Sequence, residues 1–246
     1  MATAEALTER TDVKRSFIDL RAWAASVAAP VGDPRNAFLD ARASLPLGPG
    51  PVTGGLVALP QGEGAVGAMP ADEFLIVESG AVQITQGETV ITLNDGDSIV
   101  LPAGAAIDWR ADVPCRLIFL RRTGGPAGTT TIAPIDIAAP LAPSNPPLAE
   151  LLVGPTPQCR NFTSYRSADG EFTCGTWDST PYHRRPMVYG HCELMYLLDG
   201  SVTFVDGAGA EGTFVKGDIF MVEQGASCSW DSRVDVKKVY AIYRPA

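Results

Sequence analysis

The chain has 246 residues, 46% of them hydrophobic and 19% charged, with a formal net charge of −9. That balance excludes a basic nucleic-acid-binding face, and no stretch approaches the roughly 20 apolar residues of a membrane-spanning helix. The five cysteines are scattered without any CxxC spacing, and the first 15 residues lack a signal-peptide apolar core, so reduced thiols in a cytoplasmic protein are expected.

Residues 3–29 read as a helix, with Thr11 or Asp12 as a cap, Phe17, Leu20, Ala24 and Val27 on one face, and Pro30 and Gly32 at its end. A second short helix is expected over 34–43. Between 45 and 67 Gly and Pro are too frequent for a long helix. Short β-type runs then appear at 73–77, 81–85, 89–93, 98–101 and 116–120. Gly, Asn and Asp punctuate them at intervals near the roughly 8–12 residues of a sandwich or barrel. The Pro-rich stretch 124–150 reads as a partly extended connector, after which β-type runs resume at 172–177, 194–198, 201–205, 212–215, 219–222 and 238–243.

The chain repeats itself. Glu73, Gly80 and Val82 recur as Glu193, Gly200 and Val202, and Gly96-Asp97, Gly104 and Trp109 recur as Gly217-Asp218, Gly225 and Trp230. The offset is 120 residues at the start of the unit and 121 at its end. A period this long marks a duplicated domain rather than a solenoid. Each copy is then a control for the other: shared positions point to scaffold, and differing positions point to function. Asp97 and Asp218 follow glycine at tight turns and are expected to bond nearby backbone amides.

These motifs resemble the cupin superfamily, and within it the branch called DUF861 or Cupin_3. The residues that carry the resemblance are Glu73/Gly80, Glu193/Gly200, and Gly96-Asp97 with Pro102 and Gly104. The second copy has Glu223 where the pattern expects proline. Gly175, Trp177, Pro181, Ser229-Trp230 and Lys237-Lys238 add to it, over roughly 55–122 and 130–246. The resemblance implies an all-β protein of two tandem cupin (double-stranded β-helix, jelly-roll) barrels, each with a pocket at one mouth. The expected organisation is an N-terminal helical arm at 1–50, a first barrel at 51–124, a connector at 125–150 and a second barrel at 151–246.

Metal-binding cupins carry His-x-His, a following Glu, and a third His after the P-x-G. The first unit departs from this pattern completely: no histidine precedes residue 183, and Ile107 stands at the third position. It is expected to be metal-free, with Glu73 hydrogen-bonded or paired. The second unit holds both histidines, His183 and His191, with Cys228 at the third-His position and Met187 and Tyr189 near the His-x-His positions. Period-two alternation puts Tyr189, His191, Glu193 and Met195 on one face of a strand. One reading makes His191, Glu193 and Cys228 an N/O/S site for a divalent transition metal. The other makes His191 and Glu193 a hydrogen-bonded pair and Cys228 a small buried hydrophobe.

Around them Trp177, Tyr182, Tyr189 and Trp230 supply aromatic surface, either walling a pocket or filling the barrel. Arg184 and Arg185 either clamp a carboxylate or phosphate or stay solvated. Lys238 is placed to reach Glu193 and keep it charged. The expected catalytic group is Glu193, His191 and Lys238, with Tyr189, Trp230, Trp177 and Arg185 binding substrate. The expected function is binding or turnover of a small polar metabolite in the C-terminal barrel by proton abstraction, isomerisation or hydrolysis. The nearest chemical analogy is the ureidoglycine aminohydrolase type of bicupin. The alternatives are a non-catalytic ligand-binding or sensing module, and a vestigial pair of barrels acting through oligomerisation. The expected partners are a small-molecule ligand and a second copy in a homodimer, with no nucleic acid and no membrane.

Overall fold

The computed structural model describes residues 16–246 except 29, 31, 34, 35 and 127. Each repeat forms a large sheet and a four-stranded sheet. In the first unit the large sheet runs in the order Ala133–Pro134, Ser98–Leu101, Asp72–Ser79, Cys115–Arg122, Val52–Leu59, Arg42–Ser44. In the second the order is Ile18–Asp19, Ile219–Val222, Cys192–Asp199, Val236–Tyr243, Phe172–Ser179, Cys159–Arg166, Ala142–Ser144. The four-stranded sheets are built from Gly62–Val66, Ile107–Ala111, Ala81–Gln86 and Thr89–Asn94, and from Tyr182–Val188, Ser227–Ser232, Ser201–Val205 and Glu211–Val215. The duplication is borne out strand by strand. Glu73 pairs with Leu101 as Glu193 pairs with Val222, each at the second position of its strand.

The large-sheet strands are buried on both faces, which is why 73–77 reads as an uninterrupted apolar run rather than an alternating one. Leu75 and Val77 face the interior of the first barrel, while Phe74 and Ile76 face the second unit. Met195 and Leu197 likewise fill the second barrel, while Leu194 meets the first unit. The core therefore has three parts: two barrel interiors and a shared layer where the large sheets pack back to back.

The arms cross over. Ile18 and Asp19, which precede the first barrel, pair with Met221 and Phe220 of the second. Ala133 and Pro134, which precede the second, pair with Val100 and Ile99 of the first. Each barrel thus lends a strand to the other at matched positions. The connector is shared as well, since Ala142–Ser144 pairs with the second barrel.

The helix expected over 3–29 is observed at Leu20–Ser26, with Asp19 accepting from the Ala22 amide at 2.8 Å as its cap. The proposed caps Thr11 and Asp12 lie outside the described residues. The second helix is a single turn, Ala37–Asp40, and residues 42–44 are strand. Both Gly-Asp turns behave as expected: Gly96 and Gly217 have φ of +83° and +95°, and Asp97 and Asp218 accept from the Asn94 and Val215 amides. Gly55 and Gly175 have another role. A Cβ at either would stand 2.0 Å from the neighbouring strand's carbonyl, of Ala43 or Phe162. Among the described residues no helix is long and apolar enough to cross a membrane.

The first barrel is closed by its own arm. Glu73 has no exposed surface. The turn Ala37–Asp40 offers the Phe38 carbonyl to Arg42 Nε and Nη2 at 3.0 and 2.9 Å. The same guanidinium then donates to both Glu73 oxygens at 3.0 and 2.8 Å and lies over the Phe119 ring at 4.7 Å. Arg121 donates to Glu73 from the adjacent strand. The pairing expected for Glu73 is present, with two arginines. Removing one partner of a buried ion pair costs about 3–5 kcal/mol. Arg42→Ala leaves Arg121 on Glu73, so it should lower unfolding free energy by less, about 1–3 kcal/mol, in urea titration; a loss below about 1 kcal/mol would show that the network is solvated.

Candidate functional site in the C-terminal barrel

Glu193 occupies the position of Glu73, but different side chains surround it. Lys238 Nζ donates to Glu193 Oε1 at 2.8 Å, and His191 Nε2 lies 3.2 Å from Oε2. Strand register explains the new pairing. Lys238 faces Leu197 as Leu117 faces Val77, so the lysine stands where the first barrel has leucine. Ile242 replaces Arg121 opposite the glutamate, and Asn161, paired with Trp177, replaces Arg42, paired with Val57. Among the described residues Glu193 takes its cation from the barrel's own strand, and the position of Arg42 is held by a neutral side chain.

The mouth stays open. A cavity of about 630 Å³ has Asn161, Trp177, Arg184, His191, Glu193 and Lys238 in its inner part, with Met187, Tyr182, Tyr189, Trp230 and Tyr240 completing that inner wall, and it continues outward past Pro146, Arg166, Asp169, Glu171 and Arg244. The equivalents of Met187 and Tyr189 in the first barrel are the apolar Val66 and Met69. Lys238 Nζ sits 4.8 and 4.9 Å from the Trp177 and Trp230 ring centres and 3.2 Å from Met195 Sδ. Tyr182 stacks on Trp230 with centroids 5.6 Å apart and ring planes 9° apart. Trp230 is therefore both core and wall. Burial raises the Glu193 carboxyl, but Lys238 and the His191 hydrogen bond outweigh it and hold the group at about 2, below its ordinary 4.5. Burial pushes the Tyr182 and Tyr189 phenols up, so both remain hydrogen-bond donors.

Residues 50–119 and 166–240 match the model of the EutQ-like cupin domain, Cupin_3. The chain belongs to this cupin family. A DUF861-family protein of unknown function from Pseudomonas syringae pv. tomato str. DC3000 is 30% identical, with a TM-score of 0.80 over 88% of this chain and 92% of that one. The Ylba protein of E. coli, also of the DUF861 family, is 14% identical, with a TM-score of 0.57 over 98% and 97% of the two chains. A salicylate 1,2-dioxygenase from Pseudaminobacter salicylatoxidans is 13% identical, with a TM-score of 0.55 over 87% and 78%. These last two show the fold alone. No curated protein matches the chain.

The metal-binding cupins that the sequence resembles use histidine and glutamate ligands, and a divalent ion needs such donors to converge. Among the described residues no three His, Cys, Asp or Glu side chains converge. The Cys228 sulfur points to the Ser16 carbonyl at 3.8 Å, and burial raises its thiol to about 11. The Lys238 ammonium stands on Glu193, where a cation would sit. His191, Glu193 and Cys228 therefore do not fit a metal site, and no step is assigned to one.

The structure brings together His191, Glu193, Lys238, Tyr189, Trp177 and Trp230 around the cavity. It does not bring Arg185, which is exposed and donates to the Glu150 carbonyl at 3.2 Å. Its neighbour Arg184 lines the cavity instead. A bulge between Arg184 and Met187 inverts the alternation that would otherwise run from Tyr189 back to residue 185. His183 pairs with Asp231 and takes no part in the lining. Asn161 and Tyr240 also stand in the wall, without an expected site role. Comparing the partners of the repeated glutamates would have found Asn161 only once the strand register was known.

The lowered Glu193 carboxyl contributes stability that is full above about pH 4.5 and is lost as pH falls toward about 2. The stability difference between wild type and Glu193→Gln should accordingly shrink across that window in acid unfolding curves. A difference that stays constant there would mean Glu193 is not held charged by Lys238.

Proposed function

We propose that the C-terminal barrel binds a small polar metabolite and exchanges a proton with it, while the N-terminal barrel serves as its structural partner. The observation that carries this reading is the contrast between matched positions. In the first barrel they hold Val66, Met69 and Leu117 under an Arg42–Glu73 closure. In the second they hold Met187, Tyr189 and Lys238 around an open cavity of about 630 Å³. Scaffold requirements are the same in both, so the difference belongs to ligand recognition. Aromatic walls with few polar groups and a volume in the range of about 300–1,000 Å³ suit a small molecule.

A carboxyl held at about 2 is a weak base near neutrality. Its part is to fix His191, and the imidazole is the group that carries a proton to or from the ligand. Lys238 keeps Glu193 charged and spans Trp177 and Trp230, which sets the floor of the pocket. A second reading, a non-catalytic binding or sensing module, is favoured by one specific feature: both Glu193 oxygens are already hydrogen-bonded.

Wild type, Glu73→Gln, Glu193→Gln and His191→Ala, each incubated with a metabolite extract and recovered by rapid gel filtration, separate the readings by mass spectrometry. Wild type and Glu73→Gln should retain the same small molecule, and Glu193→Gln should lose at least about ten-fold of it. His191→Ala should retain it but stop its conversion, by the roughly 10²–10⁴-fold typical of proton-transfer catalysis. Retention without conversion by wild type selects the sensing module. Full retention by a folded Glu193→Gln variant places the site elsewhere.

A further inference from the structure

The arginines buried against carboxylates in this protein contrast with Arg184. Arg42 is paired with Glu73, and Arg122 with Asp169 and Glu171. Arg184 is only 4% exposed, yet among the described residues no carboxylate lies within salt-bridge distance of it. Its Nη2 donates to the Tyr189 hydroxyl at 2.9 Å and to the Cys228 carbonyl at 3.4 Å, both neutral. Its Nη1 is buried and has no partner among the described residues. The guanidinium also lies 5.1 Å from the Tyr189 ring centre, which orients it without neutralising it. Glu193, the carboxylate of the inner wall, is committed to Lys238 and His191.

A buried charge is retained where something pairs with it. The side chain stands in the wall of the open cavity. Its counterpart in the first barrel, paired with Trp109 as Arg184 is paired with Trp230, is Gly64, so the scaffold does not require a cation there. We infer that Arg184 is the anchor for a carboxylate on the ligand, which supplies the missing counter-charge. This rests on the reading of the C-terminal cavity as a metabolite site, and it names the class of metabolite: a small monocarboxylate. A guanidinium fork matches the two oxygens of a carboxylate. Arg184 is the one buried cation of the wall without a carboxylate, since Lys238 is held by Glu193 and the other lining arginines, Arg166 and Arg244, are exposed to solvent; a single buried charge matches a monoanion better than a phosphate dianion. Tyr182, braced by its stack on Trp230, adds an aromatic side to the same wall.

The probes are benzoate and benzamide, a planar carboxylate and its uncharged near-isostere, titrated calorimetrically into the full chain. Wild type should bind benzoate at least about ten-fold tighter than benzamide. Arg184→Met should lose that preference and melt no lower than wild type when no anion is added, because an unpaired buried charge has been removed. Arg184→Lys keeps the charge without the fork and should retain a reduced preference, and it serves if the methionine variant does not fold. Equal binding of the two probes by wild type would overturn the carboxylate assignment and leave the cavity reading intact. No binding of either would overturn both. A preference surviving in Arg184→Met would show that another group holds the anion.

Discussion

A carboxylate buried at the mouth of a small barrel has to be given a cation, and the source of that cation decides what each half of this protein can do. In the first barrel Glu73 is held by Arg121 of the adjacent strand and by Arg42, which arrives on the arm, is braced by the Phe38 carbonyl, and lies across the opening. In the second, Glu193 is neutralised from the adjacent strand by Lys238, whose ammonium sits between two tryptophans within the barrel. The first solution closes the mouth and the second leaves it open. The arm position filled by Arg42 carries the neutral Asn161 in the second copy, so the opening there is not blocked.

This difference is supported by an unusually constrained scaffold. The central strands of both large sheets are buried on each face, so a shift of one residue in register would turn Glu193 out of the barrel and Leu194 into it. The exchanged arm strands pin the two sheets back to back, and Gly55 and Gly175 let the outer strands approach closely at equivalent points. Arg122 adds an ionic tie from the first barrel to Asp169 and Glu171 of the second. The N-terminal barrel therefore contributes rigidity to the site without contributing a side chain to its inner wall.

Much of this was legible in the sequence because duplication supplies an internal comparison. The glutamates and the Gly-Asp turns stand at fixed offsets and take matched strand and turn positions in the two copies, while both histidines belong to the second. What was not legible depends on geometry that residue spacing does not carry. The strands Val52–Leu59 and Gly62–Val66 contain glycines that look like loop signals. In the structure Gly55 admits the Ala43 carbonyl, and Gly64 lies beneath Trp109. The arginine facing the cavity was misplaced by one residue because a bulge reverses the alternation that otherwise governs the strand. The closure by Arg42 joins residues 31 positions apart through a strand pairing that no local pattern announces. The exchange of arms lies in segments outside the recognisable repeat.

One barrel is sealed, and the proposed ligand of the other is an anion. Anomalous diffraction from crystals of the protein soaked in 4-iodobenzoate tests this directly. Iodine is expected in the C-terminal cavity with the carboxylate at Arg184, and none inside the N-terminal barrel. Iodine beside Glu73 within the first barrel, or a second cavity left empty under the same soak, would contradict it.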